Sequence, residues 1–150
     1  MKKICLIGIL VSIFSVTFSQ NIAGKYKGTL KIKYHEKVKP EVKPQSVVYL
    51  VDECGTYTIV VLDMSFGNIK IRNFTLDSIE VLPSKVKDTQ TLIRYKIKDM
   101  LIPRGEGGVF IPAQAMLKSG KTTGNKLELE LWINTGLGLS LIVNYSGNKY

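Results

Sequence analysis

With 150 residues, 45% of them apolar and 22% charged, the chain is long enough and apolar enough for one domain with its own core, which excludes a disordered tail. Two cysteines exclude a disulfide-stapled scaffold, and a single histidine excludes a clustered zinc centre. The 21 Lys and Arg against 12 Asp and Glu give a formal charge of +9, which favours anionic partners such as acidic glycans or charged surfaces.

Met1 to Lys3 is a short basic start, residues 4–18 form an apolar run, and Thr17 and Ser19 place small side chains around a cleavage junction. The run is shorter than the roughly 20 residues that span a bilayer, so the pattern predicts a signal peptide over residues 1–19 and no transmembrane segment. Residues 20–150 then form one exported domain, destined for the periplasm, the outer-membrane surface or the extracellular space. Cys5 leaves with the signal peptide, so Cys54 is expected as the sole thiol of the mature chain, a small buried residue. Asp52 and Glu53 beside it raise a thiol pKa and argue against a tuned nucleophile.

Period-two alternation dominates residues 24–145. Over Gly24 to Tyr34, residues Tyr26, Gly28, Leu30, Ile32 and Tyr34 share one face and Lys25, Lys27, Thr29, Lys31 and Lys33 the other. Residues 35–45 read as a basic loop with two prolines, 47–51 and 56–62 as a hairpin around Gly55, and 69–82 as a strand. The parity of that last strand changes near Asp77-Ser78, which implies a bulge or tight turn. A polar loop spans 83–90. Residues 91–102 alternate again, with Ile93, Tyr95 and Ile97 inward. A glycine-rich turn leads to a strand over 109–117, a loop over 118–125, a strictly alternating strand over 126–134, and a last strand over 137–145 with Leu139, Leu141, Val143 and Tyr145 inward. Eight or nine even strands without crossover helices predict an all-β fold, an up-and-down antiparallel barrel or a sandwich.

The segment Ile22-Ala23-Gly24-Lys25-Tyr26-Lys27-Gly28-Thr29-Leu30 resembles the first strand, G-x-Y-x-G-x-L, of calycin-like β-barrel proteins exported by Gram-negative bacteria. Phe74-Thr75-Leu76 leading into Ile79-Glu80-Val81, and the final pair of strands, fit the same pattern. The resemblance implies an eight-stranded antiparallel, lipocalin-like up-and-down barrel. Gly24-x-Tyr26 stands where lipocalins carry Gly-x-Trp. The family carries no assigned activity, so the resemblance bears on fold alone.

No residue set supports catalysis, a metal or a cofactor, so a non-enzymatic protein is expected. His35 has no triad partners in view, and the Gly105 to Gly108 run precedes no helix that could cradle phosphate. Two binding modes remain. In the first, Tyr26, Tyr57 and Tyr95 point into an apolar lining and orient a small apolar or amphipathic ligand at the barrel mouth. In the second, the core is filled and the barrel is an adhesin-like or inhibitor-like interaction module, using Lys37, Lys39 and Lys43 of the basic loop together with outward Trp132. Its partner is then an anionic glycan or surface rather than nucleic acid, because arginine is scarce and no aromatics interleave with the lysines. Glu128, Glu130 and Trp132 share one outward face. Asp77-Ser78-Ile79 matches a bacterial O-glycosylation pattern with Ser78 as the acceptor.

Overall fold

The computed structural model describes residues 21–34, 40–65, 71–104, 108–135 and 140–150. The expected signal peptide and its junction lie outside these residues, as do Lys37 and Lys39. The described strands are β1 (Gly24–Tyr34), β2 (Glu41–Asp52), β3 (Tyr57–Leu62), β4 (Asn73–Pro83), β5 (Thr89–Ile93), β6 (Lys98–Arg104), β7 (Val109–Thr123), β8 (Lys126–Thr135) and β9 (Ser140–Lys149). Every pairing is antiparallel. The sheet runs β5-β4-β3-β2-β1-β9-β8-β7-β6, and β5 also pairs with β7, which closes it into a barrel.

Nine segments make eight barrel strands because β5 and β6 are two pieces of one. Both pair with β7, Thr89 opposite Thr123 and Lys98 opposite Ala115, in registers that differ by a single residue. Between them the chain leaves the ladder at Arg94 to Ile97. The sequence reading of 91–102 as one continuous strand is corrected here, and so is its parity. Leu92 and Ile102 are buried, whereas Ile97 is 51% and Tyr95 76% exposed.

The break is held by side chains. Past Ile93 the β4–β5 ladder stops beside the bulge of β4, and no ladder joins β4 to β6 among the described residues. Arg94 fills the gap: its Nε and Nη2 donate to the carbonyl and the carboxylate of Asp77 at 2.6 and 2.9 Å, and Nη1 donates to the carbonyl of Lys96 at 2.5 Å. The Lys98 ammonium donates to the Thr75 carbonyl and lies over the Phe74 ring.

Three bulges reset the inward parity along the long strands. The expected insertion at Asp77-Ser78 is present: Ser78 has φ 58°, and Leu76 and Ile79 both face inward opposite Ile59 and Tyr57. In β7 the register shifts between Leu117 and Ser119, so the strand continues to Thr123 where a loop over 118–125 was expected. In β2 the irregularity near Gln45, φ 73°, lets the strand begin at Glu41, inside the predicted loop.

The interior is packed with side chains. Leu30, Ile32, Val48, Leu50, Ile59, Val61, Leu129, Leu131 and Val143 from five strands are almost wholly buried. Two tyrosines close it: Tyr26 donates to the Ile22 carbonyl at 2.7 Å, and Tyr145 donates to the Ser46 carbonyl at 3.3 Å. Gly28 and Gly147 face each other across the β1–β9 junction. A methyl group on Gly147 would run into the Tyr145 ring, and one on Gly28 into the β9 backbone. The closing pair of strands therefore requires glycine at both positions.

Candidate functional site

Of the three tyrosines expected around an interior ligand, the structure brings together two. Tyr26 is buried and its hydroxyl is committed to Ile22; Tyr57 is half-buried against the same core. Burial pushes both phenols above their ordinary pKa, the largest cause in each case. Tyr95 is corrected: it lies in the break between β5 and β6 and points to solvent, because the chain leaves the ladder one residue after Ile93.

The basic-loop set is also rearranged. Lys43 belongs to β2 and is tied down, its ammonium donating to the Asp63 carbonyl at 3.1 Å with the Asp63 carboxylate 3.7 Å away. Cys54 is corrected from buried to exposed: it sits at the β2–β3 hairpin tip with φ 63° and is not a free thiol. Ser78 is half-buried in the β4 bulge, next to the Asp77 that holds Arg94.

Trp132 stands on the outer face of β8, as alternation requires. Its indole N–H donates to Glu130 Oε2 at 2.9 Å, and the Lys118 ammonium lies 4.7 Å from the ring centroid. Glu130, the acceptor of that hydrogen bond, is one of the residues lining a groove of about 760 Å³ on the outside of the barrel, with Thr29, Lys31, Lys121, Asn144 and Ser146.

The groove follows directly from register. Residues directly opposite across a ladder point to the same face, about 5 Å apart between neighbouring strands and about 7 Å apart along one strand. Lys31 lies opposite Asn144, Asn144 opposite Glu130, and Glu130 opposite Ser119. One step along, Thr29 lies opposite Ser146, Ser146 opposite Glu128, and Glu128 opposite Lys121. Two parallel rows of four polar side chains thus cross β1, β9, β8 and β7. Lys126 and Lys121 reach Glu128 at 3.3 and 3.4 Å and hold its carboxyl below the usual range, Lys126 contributing most. The two glutamates are engaged by these lysines and by Trp132, while Lys31 and Lys33 are exposed beside them, so the face is net basic.

Sequence alternation identified the outward residues of β1 and β8 but not this grid. Which strands lie side by side depends on β1 closing against β9, a pairing more than a hundred residues apart. Thr29, Lys31, Ser119, Asn144 and Ser146 were therefore not singled out. Among the described residues no group of three or more His, Cys, Asp or Glu is placed to hold a metal ion. The chemistry on offer is hydroxyl, amide, carboxylate and ammonium groups at fixed spacing, suited to a polyol carrying negative charge.

No family model matches the chain, and no curated protein matches it. Among solved structures it is similar to the crystal structure of a provisionally assigned outer membrane protein from Bacteroides fragilis NCTC 9343, with a TM-score of 0.58 and 10% sequence identity. The match covers 85% of this chain and 50% of that one, so the chain spans about half the length of its structural neighbour. A likeness at this identity shows a shared barrel fold.

Proposed function

We propose that this chain is an exported, non-enzymatic binding module of calycin-like architecture whose outer face engages an anionic glycan. The observation that carries the reading is the pair of cross-strand rows, Lys31-Asn144-Glu130-Ser119 and Thr29-Ser146-Glu128-Lys121, lining one groove on a barrel whose interior is filled. Hydroxyls and amides satisfy sugar hydroxyls, and Lys31 and Lys33 supply the positive field for carboxylate groups. Trp132, hydrogen-bonded to the groove residue Glu130, offers apolar surface to a sugar ring when Lys118 swings aside. Export is supported by the basic and apolar N-terminal run, and the structural neighbour is itself described as an outer membrane protein.

The test is calorimetric titration of the mature chain with alginate oligosaccharides, whose carboxylates supply the charge, and with neutral dextran oligomers as the control. Alginate binding should weaken as salt rises, and Lys31→Glu combined with Asn144→Ala should reduce affinity at least tenfold, with Lys85→Ala, in the β4–β5 connection, unchanged. Equal binding of the variants, or no binding of any acidic oligosaccharide, contradicts the proposal.

A further inference from the structure

We propose that the glycan groove continues, on its β5 side, into a slot of apolar and hydroxyl groups that takes an acetyl ester on the bound acidic sugar; the inference rests on the glycan reading of the groove. The slot is a gap in the barrel wall. Thr91 opposite Lys121 is the last rung between β5 and β7, and β7 bulges between Leu117 and Ser119 just beyond it. The two strands part there and leave a space of about 330 Å³. Thr91, Ser119 and Gly120 line both this slot and the groove, so the two form one continuous surface.

The chemistry of the slot differs from that of the groove. The core residues Leu92 and Leu117 and the half-buried Ile93 line it, and Tyr95, turned outward by the break after β5, adds an exposed ring. Two cations also stand in its lining, and both are engaged elsewhere. Arg94 donates to Asp77 and to the Lys96 carbonyl. The Lys118 ammonium lies over the Trp132 ring, in β8, which flanks β7 on the side away from β5.

These groups select the substituent. A carboxylate entering the slot would lose water without gaining a cation, which is costly. The slot suits a neutral group with an apolar end for the aliphatic side chains and an acceptor for the hydroxyls of Thr91 and Ser119. An acetyl ester has this make-up: a methyl, a carbonyl oxygen and no ionisable group. The volume of about 330 Å³ lies at the small end of ligand pockets, roughly 300–1,000 Å³, which fits one acetylated ring rather than a further run of chain. The acid groups of the glycan then stay over Lys31 and Lys33 in the groove, while the ester is read beside Tyr95.

The experiment titrates isotopically labelled residues 20–150 with O-acetylated mannuronate oligosaccharides and with the same preparation deacetylated by mild base, which removes the ester and keeps the chain length. The acetylated form should bind about fourfold tighter or more, the scale of one buried methyl group. It alone should shift the Ile93, Tyr95 and Ser119 amides, while both forms shift Lys31 and Asn144. Tyr95→Ala should reduce the preference below twofold. Tyr95→Phe, which keeps the ring, and Val86→Ala, an exposed apolar change in the β4–β5 connection, should retain it. Equal or weaker binding of the acetylated form overturns the slot and leaves the groove reading intact. A preference that survives Tyr95→Ala without shifts at Ile93 and Tyr95 also overturns it, because the ester is then read elsewhere. Failure of both forms to bind overturns the groove reading, and the slot falls with it.

Discussion

Arg94 shows how one side chain can stand in for a piece of β-ladder. Its side chain is only 5% exposed, and three of its nitrogens donate to oxygens on both sides of the seam. Arg94→Ala would leave the Asp77 and Lys96 carbonyls without this donor, a loss of about 1–2 kcal/mol, because the guanidinium is buried while its partners Asp77 and Lys96 are exposed to solvent. Chemical denaturation should read this as a lower midpoint, and Arg94→Lys, with one donor centre, should recover only part of it. The hydrogen bond from Arg94 holds the Asp77 carboxyl below its ordinary pKa. Asp77 itself is largely exposed, so the effect is small. Its sign is fixed: a depressed carboxyl stabilises the fold at pH values above the ordinary Asp value of about 4 and loses that contribution as pH falls through the folded value. Asp77→Asn should flatten stability on the acid side, measured as denaturation midpoint against pH. The buried tyrosines act at the other end of the scale. Burial raises Tyr145 most, and Tyr26 and Tyr57 in the same direction. A phenol raised in the folded state favours folding fully below the unfolded value of about 10, and that contribution is lost as pH rises beyond it, because only the unfolded chain then ionises. Thermal unfolding should therefore destabilise steeply above about pH 10, and Tyr145→Phe should reduce the slope.

At the scale of strands, what could be read from the sequence was whatever depends on neighbours in the chain. The alternation of β1, β8 and β9 is uninterrupted, so Leu30, Ile32, Leu129, Leu131 and Val143 are buried where period two puts them. The β4 bulge was legible because two clean apolar parities meet at Asp77-Ser78. The β7 bulge was not, because Lys118-Ser119-Gly120-Lys121 has no apolar residue to report which face is which, and the run reads as a loop. The break after β5 was misread for the opposite reason: Ile93, Tyr95 and Ile97 imitate an inward face, while the true inward residues are Gln90 and Leu92, one of them polar. Tyr95 as an interior ligand residue fell with that parity. The β1–β9 closure rests on glycines whose necessity is invisible without the partner strand. Gly28→Ala would force a methyl into the Ser146 carbonyl and the Gly147 Cα, and should cost about 1–3 kcal/mol, as overpacking does elsewhere. The loss should appear as a lower urea midpoint and faster exchange of β9 amides.

Over the whole molecule, polarity decides what kind of barrel this is. A barrel that spans a membrane turns apolar side chains outward and keeps a polar interior. Here the arrangement is reversed: Lys25, Lys27, Lys31 and Lys33 face out from β1 while Tyr26, Leu30 and Ile32 fill the inside. Among the described residues no helix is long and apolar enough to cross a membrane either. With these side chains inside, the surface proposed for recognition is exterior, the polar rows of β1, β9, β8 and β7. The most direct measurement is an electron-density map of a crystal of residues 20–150 soaked with alginate oligosaccharide. The account predicts unbroken side-chain density through the barrel centre and sugar density over Lys31, Asn144 and Ser146. Elongated density from a bound molecule among Leu30, Leu129 and Val143, with the outer rows empty, would contradict it.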